Sequence, residues 1–438
     1  MPTKDKPNIL FILADDLGWG DVSYHGSTIR TPAIDRLAES GIQLNQHYVC
    51  PMCTPTRVSL LTGRHPGRFG RHVTKPSNPP VLPDGYETLA TSLKRCGYDT
   101  GLFGKWHLGS SPQFGPNHFG FNASYGSLAG GVDPYNHHYK RGQYSRTWHR
   151  NCELVEEPGH VTDLIVREAS QWIETKTEPW FCYVPFTAVH VPIKAPQSWL
   201  DQYEFEAYDD DPLRDRAFKK YAAYTSQMDY AVGQLVETLE CLNQRDNTII
   251  IFSSDNGAIS RASLHASDQY PGWQEEMPKL GSNKPFRGQK AQLYEGGIRT
   301  PTLIDWRGVL PPGICHHPMH IVDWMPTLTR LVGCSPSRDP QWDGVDIWPV
   351  ITEGEAIENR TIFWNFKGTQ FGIRHRDWKL IATDEMRPEN SELYNIDIDP
   401  YETEELSKEH PETVRQLLEL VAEERRLDGT SQRHDVKS

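Results

Sequence analysis

No apolar run in these 438 residues approaches the roughly 20 needed to cross a bilayer. The longest candidate, Ile9 to Ala14, is far too short. Positive charge is also scarce: 45 lysines and arginines face 58 aspartates and glutamates, a formal net charge of -13. That balance argues against non-specific binding to nucleic acid or to an anionic membrane, both of which attract basic surfaces. It leaves a small anionic substrate open, because nearby charges dominate at short range. The eight cysteines show no paired zinc-like spacing; Cys50 and Cys53 form one CxxC without a second, so most are expected to be buried free thiols. Repeats and low-complexity segments are missing as well. The opening stretch from Met1 to Pro7 lacks the apolar segment and cleavage site of a signal peptide. As written, the chain is expected in the cytoplasm, or in the periplasm or outside the cell if a signal was removed. Core-forming material, by contrast, is plentiful: 37% hydrophobic and 24% charged residues fit a large folded core in two or three domains.

Asn8-Ile9-Leu10-Phe11-Ile12-Leu13-Ala14 is a nearly unbroken apolar run, the pattern of a parallel strand covered on both faces. Thr248 to Phe252 and Trp180 to Val184 read the same way. Helical patterns separate them: Ala33 to Ser40, Thr88 to Cys96, Val161 to Thr175 and Tyr221 to Leu242. Strands alternating with helices predict an α/β fold with a large, mostly parallel sheet flanked by helices. Ile321 to Val332 reads as its last helix, ended by Gly333. After Gly354 come short strand-like pieces at Thr361–Trp364, Phe371–Ile373, Trp378–Ile381 and Glu392–Tyr394, then a charged amphipathic helix from Pro411 to about Leu427. The expectation is a main domain over 1–354 and, over 355–438, a small antiparallel sheet plus one helix. In open sheets of this kind, ligands gather beyond the carboxyl ends of the strands. Asp15-Asp16 follows the first run and Asp255-Asn256-Gly257 the Thr248 run; His190 follows the Trp180 run, and Lys105 and His107 follow Thr100 to Phe103. Four strands are thus predicted to deliver polar groups to one edge.

The most specific stretch is Cys53-Thr54-Pro55-Thr56-Arg57-Val58-Ser59-Leu60-Leu61-Thr62-Gly63-Arg64, a cysteine at a proline-containing turn that opens a helix. The helix dipole and Arg57 favour negative charge there. With this string the chain resembles the type I sulfatase family of the alkaline-phosphatase-like superfamily. The resemblance continues through Pro7-Asn8-Ile9, Asp15-Asp16, Gly104 to Gly109, His190-Val191-Pro192, Ser254 to Gly257, Arg287 to Lys290 and Tyr294 to Pro301. Thr56 stands where serine is commoner in the family, and it keeps the hydroxyl. The resemblance implies that Cys53 is converted to formylglycine by a maturation enzyme and that one calcium ion per chain, with magnesium as the alternative, is held by Asp15, Asp16, Asp255, Asn256 and the modified Cys53. All-oxygen ligands suit such a hard cation rather than zinc.

A metal can hold one hydroxyl of a hydrated formylglycine as nucleophile towards sulfur, and loss of the other hydroxyl's proton then reforms the aldehyde and expels sulfate. Lys105, Lys290 and Arg57 would supply fixed positive charge. By resemblance, Lys105 and Lys290 contact sulfate, Arg57 supports the formylglycine and His107 takes the diol proton. His190 is the candidate for protonating the leaving alcohol. The pair His137-His138 is expected on the pocket rim and, with Asp133-Pro134-Tyr135, has some similarity to arylsulfatase B-like (N-acetylgalactosamine-4-sulfatase) enzymes. His265, Tyr270 and Trp273 lie in a long segment expected either to stack on a sugar or to form a structural lid. The substrate class this points to is a sulfated saccharide. A phosphodiesterase or phosphonate monoester hydrolase on the same scaffold is the competing enzyme, and a non-catalytic glycan-binding protein the competing class.

Overall fold

Asn8–Ala14 (β1) is buried at every position. Because successive side chains of a strand point to opposite faces, Leu10, Ile12 and Ala14 join one apolar cluster while Ile9, Phe11 and Leu13 join another. The core therefore has two halves, one on each face of the sheet. The computed structural model describes residues 6–260, 262–263, 276–336 and 339–429. Around β1 it builds a ten-stranded sheet from Ile42–Leu44 (β2), Asp99–Lys105 (β3), Ala123–Ser127 (β4), Trp148–Arg150 (β5), Glu153–Leu154 (β6), Trp180–Pro185 (β7), Thr248–Ser254 (β8), Leu303–Asp305 (β9) and Gly313–Cys315 (β10). The order is β10-β2-β9-β8-β1-β7-β3-β4-β5-β6. Its five central strands, β8-β1-β7-β3-β4, are all parallel. The short strand β9 runs antiparallel to both its neighbours, and β5 and β6 are antiparallel additions at the other side. This is the expected α/β architecture, with antiparallel margins.

One face carries Pro32–Ser40 (α1), Val161–Glu174 (α4) and Pro212–Cys241 (α5), whose Ile34, Ile165 and Leu235 pack under Leu10 and Ile12. The other carries Cys53–Thr62 (α2), Leu89–Arg95 (α3) and Trp324–Leu331 (α6), whose Leu60, Leu93 and Leu328 meet Ile9 and Phe11. Helix α5 begins nine residues before the predicted Tyr221: the Asp211 carboxylate caps it and Pro212 occupies its first turn, start signals that outlast the apolar period. Among the described residues, no helix is long and apolar enough to cross a membrane.

The cysteine expectation needs correction. Cys96, after α3, and Cys334, after α6, form a disulfide with Cα atoms 5.8 Å apart and a sequence separation of 238. Cys152 and Cys241 are exposed, so buried free thiols are confined to Cys50, Cys53, Cys182 and Cys315. Such a distant pairing leaves no local spacing to read.

The C-terminal part is a four-stranded antiparallel sheet of Thr361–Phe366 (β11), Gln370–His375 (β12), Trp378–Thr383 (β13) and Glu392–Asn395 (β14), followed by Pro411–Arg426 (α7). One face, with Phe363, Phe371, Ile373 and Leu380, packs on Val414, Leu417 and Val421 of α7. The opposite face, with Ile362, Trp364 and Phe366, packs on Tyr48, Leu293 and Ile298 of the main body. A sheet covered on both sides in this way joins α7 to the loops around the large sheet's edge.

Candidate active site

The carboxyl ends of β1, β3, β7 and β8 open onto one buried cluster, and helix α2 begins beside it. Asp15 and Asp16 follow β1, and both are buried. Asp16 takes a left-handed φ of 66° and His107, just past β3, one of 60°. Such angles are uncommon outside glycine and collect at functional sites. The Asp15 backbone is clamped to the loop after β7: its N–H donates to Ala188 O at 2.9 Å, and its carbonyl accepts from Val189 N at 2.7 Å. That clamp sets His190, whose Nε2 lies 3.8 Å from Asp16 Oδ2. A Cβ on Gly130 would stand 2.2 Å from His107 Nε2, so only glycine admits the imidazole there. Asp255 and Asn256 follow β8, and Lys290 reaches in from a loop whose Lys290 N–H donates to Ala258 O and Ala291 N–H to Pro51 O.

Helix α2 is buried along its whole length and starts at Cys53 with no side chain capping its first turn. Its free N–H groups and dipole therefore favour an anion at this spot. Arg57, one turn on, donates to Asp255 Oδ2 at 2.8 and 3.2 Å and to Lys105 O at 2.7 Å. The Thr56 hydroxyl donates to Asp255 O at 2.6 Å and accepts from Cys50 N at 3.0 Å, which is why a hydroxyl is kept at this position. Thr54 donates to His107 O at 3.2 Å. The helix that carries Cys53 is thus bonded directly to the turns carrying Asp255 and His107.

Three carboxylates meet three cations. Lys105 Nζ lies 2.6 Å from Asp15 Oδ2, and Lys290 Nζ lies 2.5 and 2.7 Å from the two Asp16 oxygens. Burial, reinforced by Asp255, pushes Asp15 up to about 8. Burial opposes the ionised form of Asp16 too, but Lys290, His190 and Lys105 overcome it and hold that carboxyl below the usual range. The Cys53 thiol is raised by burial, against the pull of Lys105 and Lys290. Burial also holds His107 and His190 well below the ordinary imidazole value, aided at His107 by Lys105 and Arg57 and opposed at His190 by Asp16. Every group named from the sequence at this edge is in the cluster: Asp15, Asp16, Cys53, Arg57, Lys105, His107, His190, Asp255, Asn256 and Lys290.

The cluster is not self-sufficient. Asp15 Oδ1, Asn256 Oδ1 and His107 Nδ1 are buried without a hydrogen-bond partner. Unpaired buried oxygens are costly, and few survive in folded proteins. Asp15, Asp16 and His190 also bring ligand atoms within 4.8 Å of one another. Carboxylate and amide oxygens fit a hard divalent cation. An unmodified Cys53 thiol is too soft for that set, whereas an oxygen at the same place would match it.

Two parts of the site carried no sequence signal: Gly130 against His107, and the bond from Thr54 to His107 O. His137 is structural: it stacks on Trp148 at 4.7 Å, and its Nε2 meets Gly159 O. His138 lines a cavity of about 430 Å³ with Tyr135, Arg146 and Trp148. His265, Tyr270 and Trp273 lie outside the described residues.

Comparison with known proteins matches a family model described as Sulfatase over residues 7–334. Arylsulfatase J of Mus musculus is 32% identical across 95% of this chain and 75% of its own length. N-acetylgalactosamine-6-sulfatase of Homo sapiens is 32% identical across 82% of this chain and 68% of its own. The crystal structure of Ps i-CgsB in complex with k-i-k-neocarrahexaose aligns with a TM-score of 0.84 at 31% identity, covering 99% of this chain and 96% of that one.

Proposed function

The chain belongs to the sulfatase family and is a sulfuric ester hydrolase, and from that premise we propose that it desulfates saccharides using a formylglycine made from Cys53 and a bound divalent cation, calcium being the expected ion. The observation that carries the reading is the uncapped start of α2, which sets Cys53 among basic groups and unpartnered buried oxygens. Asp15, Asp16, Asp255 and Asn256 would hold the cation, which supplies Lewis acidity and lowers the pKa of a coordinated hydroxyl. Hydrated formylglycine would supply two hydroxyls on one carbon, one to attack sulfur and one whose deprotonation expels sulfate. The saccharide substrate is supported by the N-acetylgalactosamine-6-sulfatase relative and the oligosaccharide complex named above.

This chain's own groups then divide the work. Lys105 and Lys290 neutralise the charge of the sulfate, and Arg57 holds Asp255 in place behind the nucleophile. His190, beside Asp16, whose carboxylate favours the charged imidazolium against burial, would protonate the departing alcohol. His107, with Nδ1 unpartnered, accepts the proton from the second hydroxyl. Cys53 is 2% exposed, so a maturation enzyme would act on it before α2 is buried. The Cys96–Cys334 disulfide supports the periplasm or the cell exterior over the cytoplasm, where thiols are kept reduced.

The test is turnover of the sulfate and phosphate esters of one phenol, run beside defined sulfated saccharides, with mass spectrometry of the Cys53 peptide. Preference for the sulfate ester, release of sulfate from at least one saccharide and an aldehyde at Cys53 are expected. A preference for the phosphate ester would replace the reading with a phosphodiesterase or phosphonate hydrolase.

A further inference from the structure

The segment joining β4 to β5 leaves the sheet at the edge where the site lies. Its first residue, Leu128, accepts a hydrogen bond from His107 N at 3.1 Å and donates to Thr147 O at 2.9 Å. It then folds back on itself, with Asp133 N donating to His138 O at 2.9 Å and Tyr139 N to Ser145 O at 2.8 Å. Lys194 pairs with Asp133 and fixes the base of this loop. Lys140 stands where the tip begins.

A chain of polar contacts ties that tip to the nucleophile helix. The Tyr139 hydroxyl is bonded to the Asn78 side chain. Asn78 accepts from Ser110 N at 2.8 Å, and its neighbour Ser77 donates from its backbone to Thr54 Oγ1 at 3.3 Å. Thr54 is the residue after Cys53. Lys140 Nζ lies 5.6 Å from the Tyr139 ring centroid. Among the described residues Lys140 has no carboxylate partner, whereas the two lysines of the site, Lys105 and Lys290, each have one. The charges that act on Lys140 come from the site itself: burial and Lys290 hold it below the ordinary lysine range, while Cys53 pulls the other way.

A half-buried ammonium with no carboxylate partner, on a loop tied to the helix that carries Cys53, is unfavourable until an anion arrives. The scissile sulfate already has Lys105 and Lys290. We propose that Lys140 is a specificity-determining residue whose ammonium receives a second anionic group, a carboxylate or a further sulfate, on the saccharide bearing the scissile ester. This rests on the saccharide-sulfatase reading and names one feature of the substrate.

The experiment compares wild type, Lys140→Gln and Lys140→Arg on an aryl sulfate, which has one anionic group, and on a saccharide carrying the sulfate ester plus a uronate or a second sulfate. For Lys140→Gln, KM on the doubly anionic substrate should rise about tenfold with kcat held within about twofold, a moderate loss for a part-exposed charge contact. Its kcat/KM on the aryl sulfate should stay within about twofold of wild type, and Lys140→Arg should recover most of the loss. Added salt should raise the wild-type KM for the doubly anionic substrate and barely move that of Lys140→Gln. Equal losses on both substrates would overturn the proposal by moving Lys140 to the scissile sulfate or to packing. No loss on either would overturn it by leaving Lys140 a solvated rim residue. If wild type cleaves no sulfate ester at all, the underlying reading fails first, and the two failures are told apart by that control.

Discussion

Two of the buried ionic clusters in this molecule differ in one respect. At the junction with the C-terminal sheet, Lys379 Nζ contacts Glu295 Oε1 and Glu402 Oε1, both at 2.8 Å. Glu295 Oε2 accepts from Tyr48 and Arg299, and Glu402 Oε2 accepts from Glu295 N at 2.7 Å. Every carboxylate oxygen there is used. In the cluster around Cys53, the same kinds of groups leave Asp15 Oδ1 and Asn256 Oδ1 without partners. A saturated cluster holds structure together, whereas an unsaturated one is prepared to receive something. The distinction lies in hydrogen-bond bookkeeping, since burial and charge are alike in both.

The contrast can be broken experimentally. The largest effect is expected for Cys53→Ala, which should lower kcat by at least about a thousandfold while its thermal midpoint stays close to that of wild type. Appreciable sulfate release by that variant would remove Cys53 from the chemistry. Next is the cation: a chelator should cut activity at least about tenfold, and calcium at a hundred times its dissociation constant should stabilise the folded enzyme by about 2.7 kcal/mol. Calorimetry showing no shift on adding calcium or magnesium would mean the free oxygens await some other group. Lys379→Met should behave in the opposite way, losing about 3–5 kcal/mol in denaturant unfolding because two glutamates lose their buried cation. In the cold, where it remains folded, its activity should fall far less than that of Cys53→Ala.

The smallest effect concerns a third arrangement. Asp229 is buried with no ion-pair partner among the described residues and accepts from Ala33 N and Ile34 N at 3.0 and 2.8 Å. Burial pushes it up to about 7 from an ordinary value of 3.8. The folded protein therefore keeps this proton to higher pH than the unfolded chain does, and the group's contribution to stability falls as pH rises from about 4 to about 7. Urea unfolding across that interval should show a shallower pH dependence for Asp229→Asn than for wild type; identical slopes would contradict the assignment.

Much of the site was readable because a doubly covered strand is an unbroken apolar run, so polar residues just past its end stand out. Asp15, Asp16, Asp255, Asn256, Lys105, His107 and His190 were all found in this way. Lys290 was not; it came from family resemblance, since its loop follows no strand. The position of β2, β9 and β10 was hidden, each being three residues long and too short to show a period. Lys379 is separated from Glu295 by 84 residues and Lys105 from Asp15 by 90, and neither pairing has a local signature. The Lys105 pair was inferable only because both residues end strands of one sheet.

The C-terminal sheet bears on how this chain could be trimmed. Trp364 Nε1 donates to Val49 O at 2.9 Å, and Arg374 donates to the Tyr48 hydroxyl, four and five residues ahead of Cys53. Cutting the chain near residue 354 would withdraw the props from Tyr48 and Val49, which lead into the nucleophile. A minimal enzyme, a split reporter or a fusion partner should therefore keep everything through α7, and new material is better attached beyond Gly429 than inserted ahead of β11.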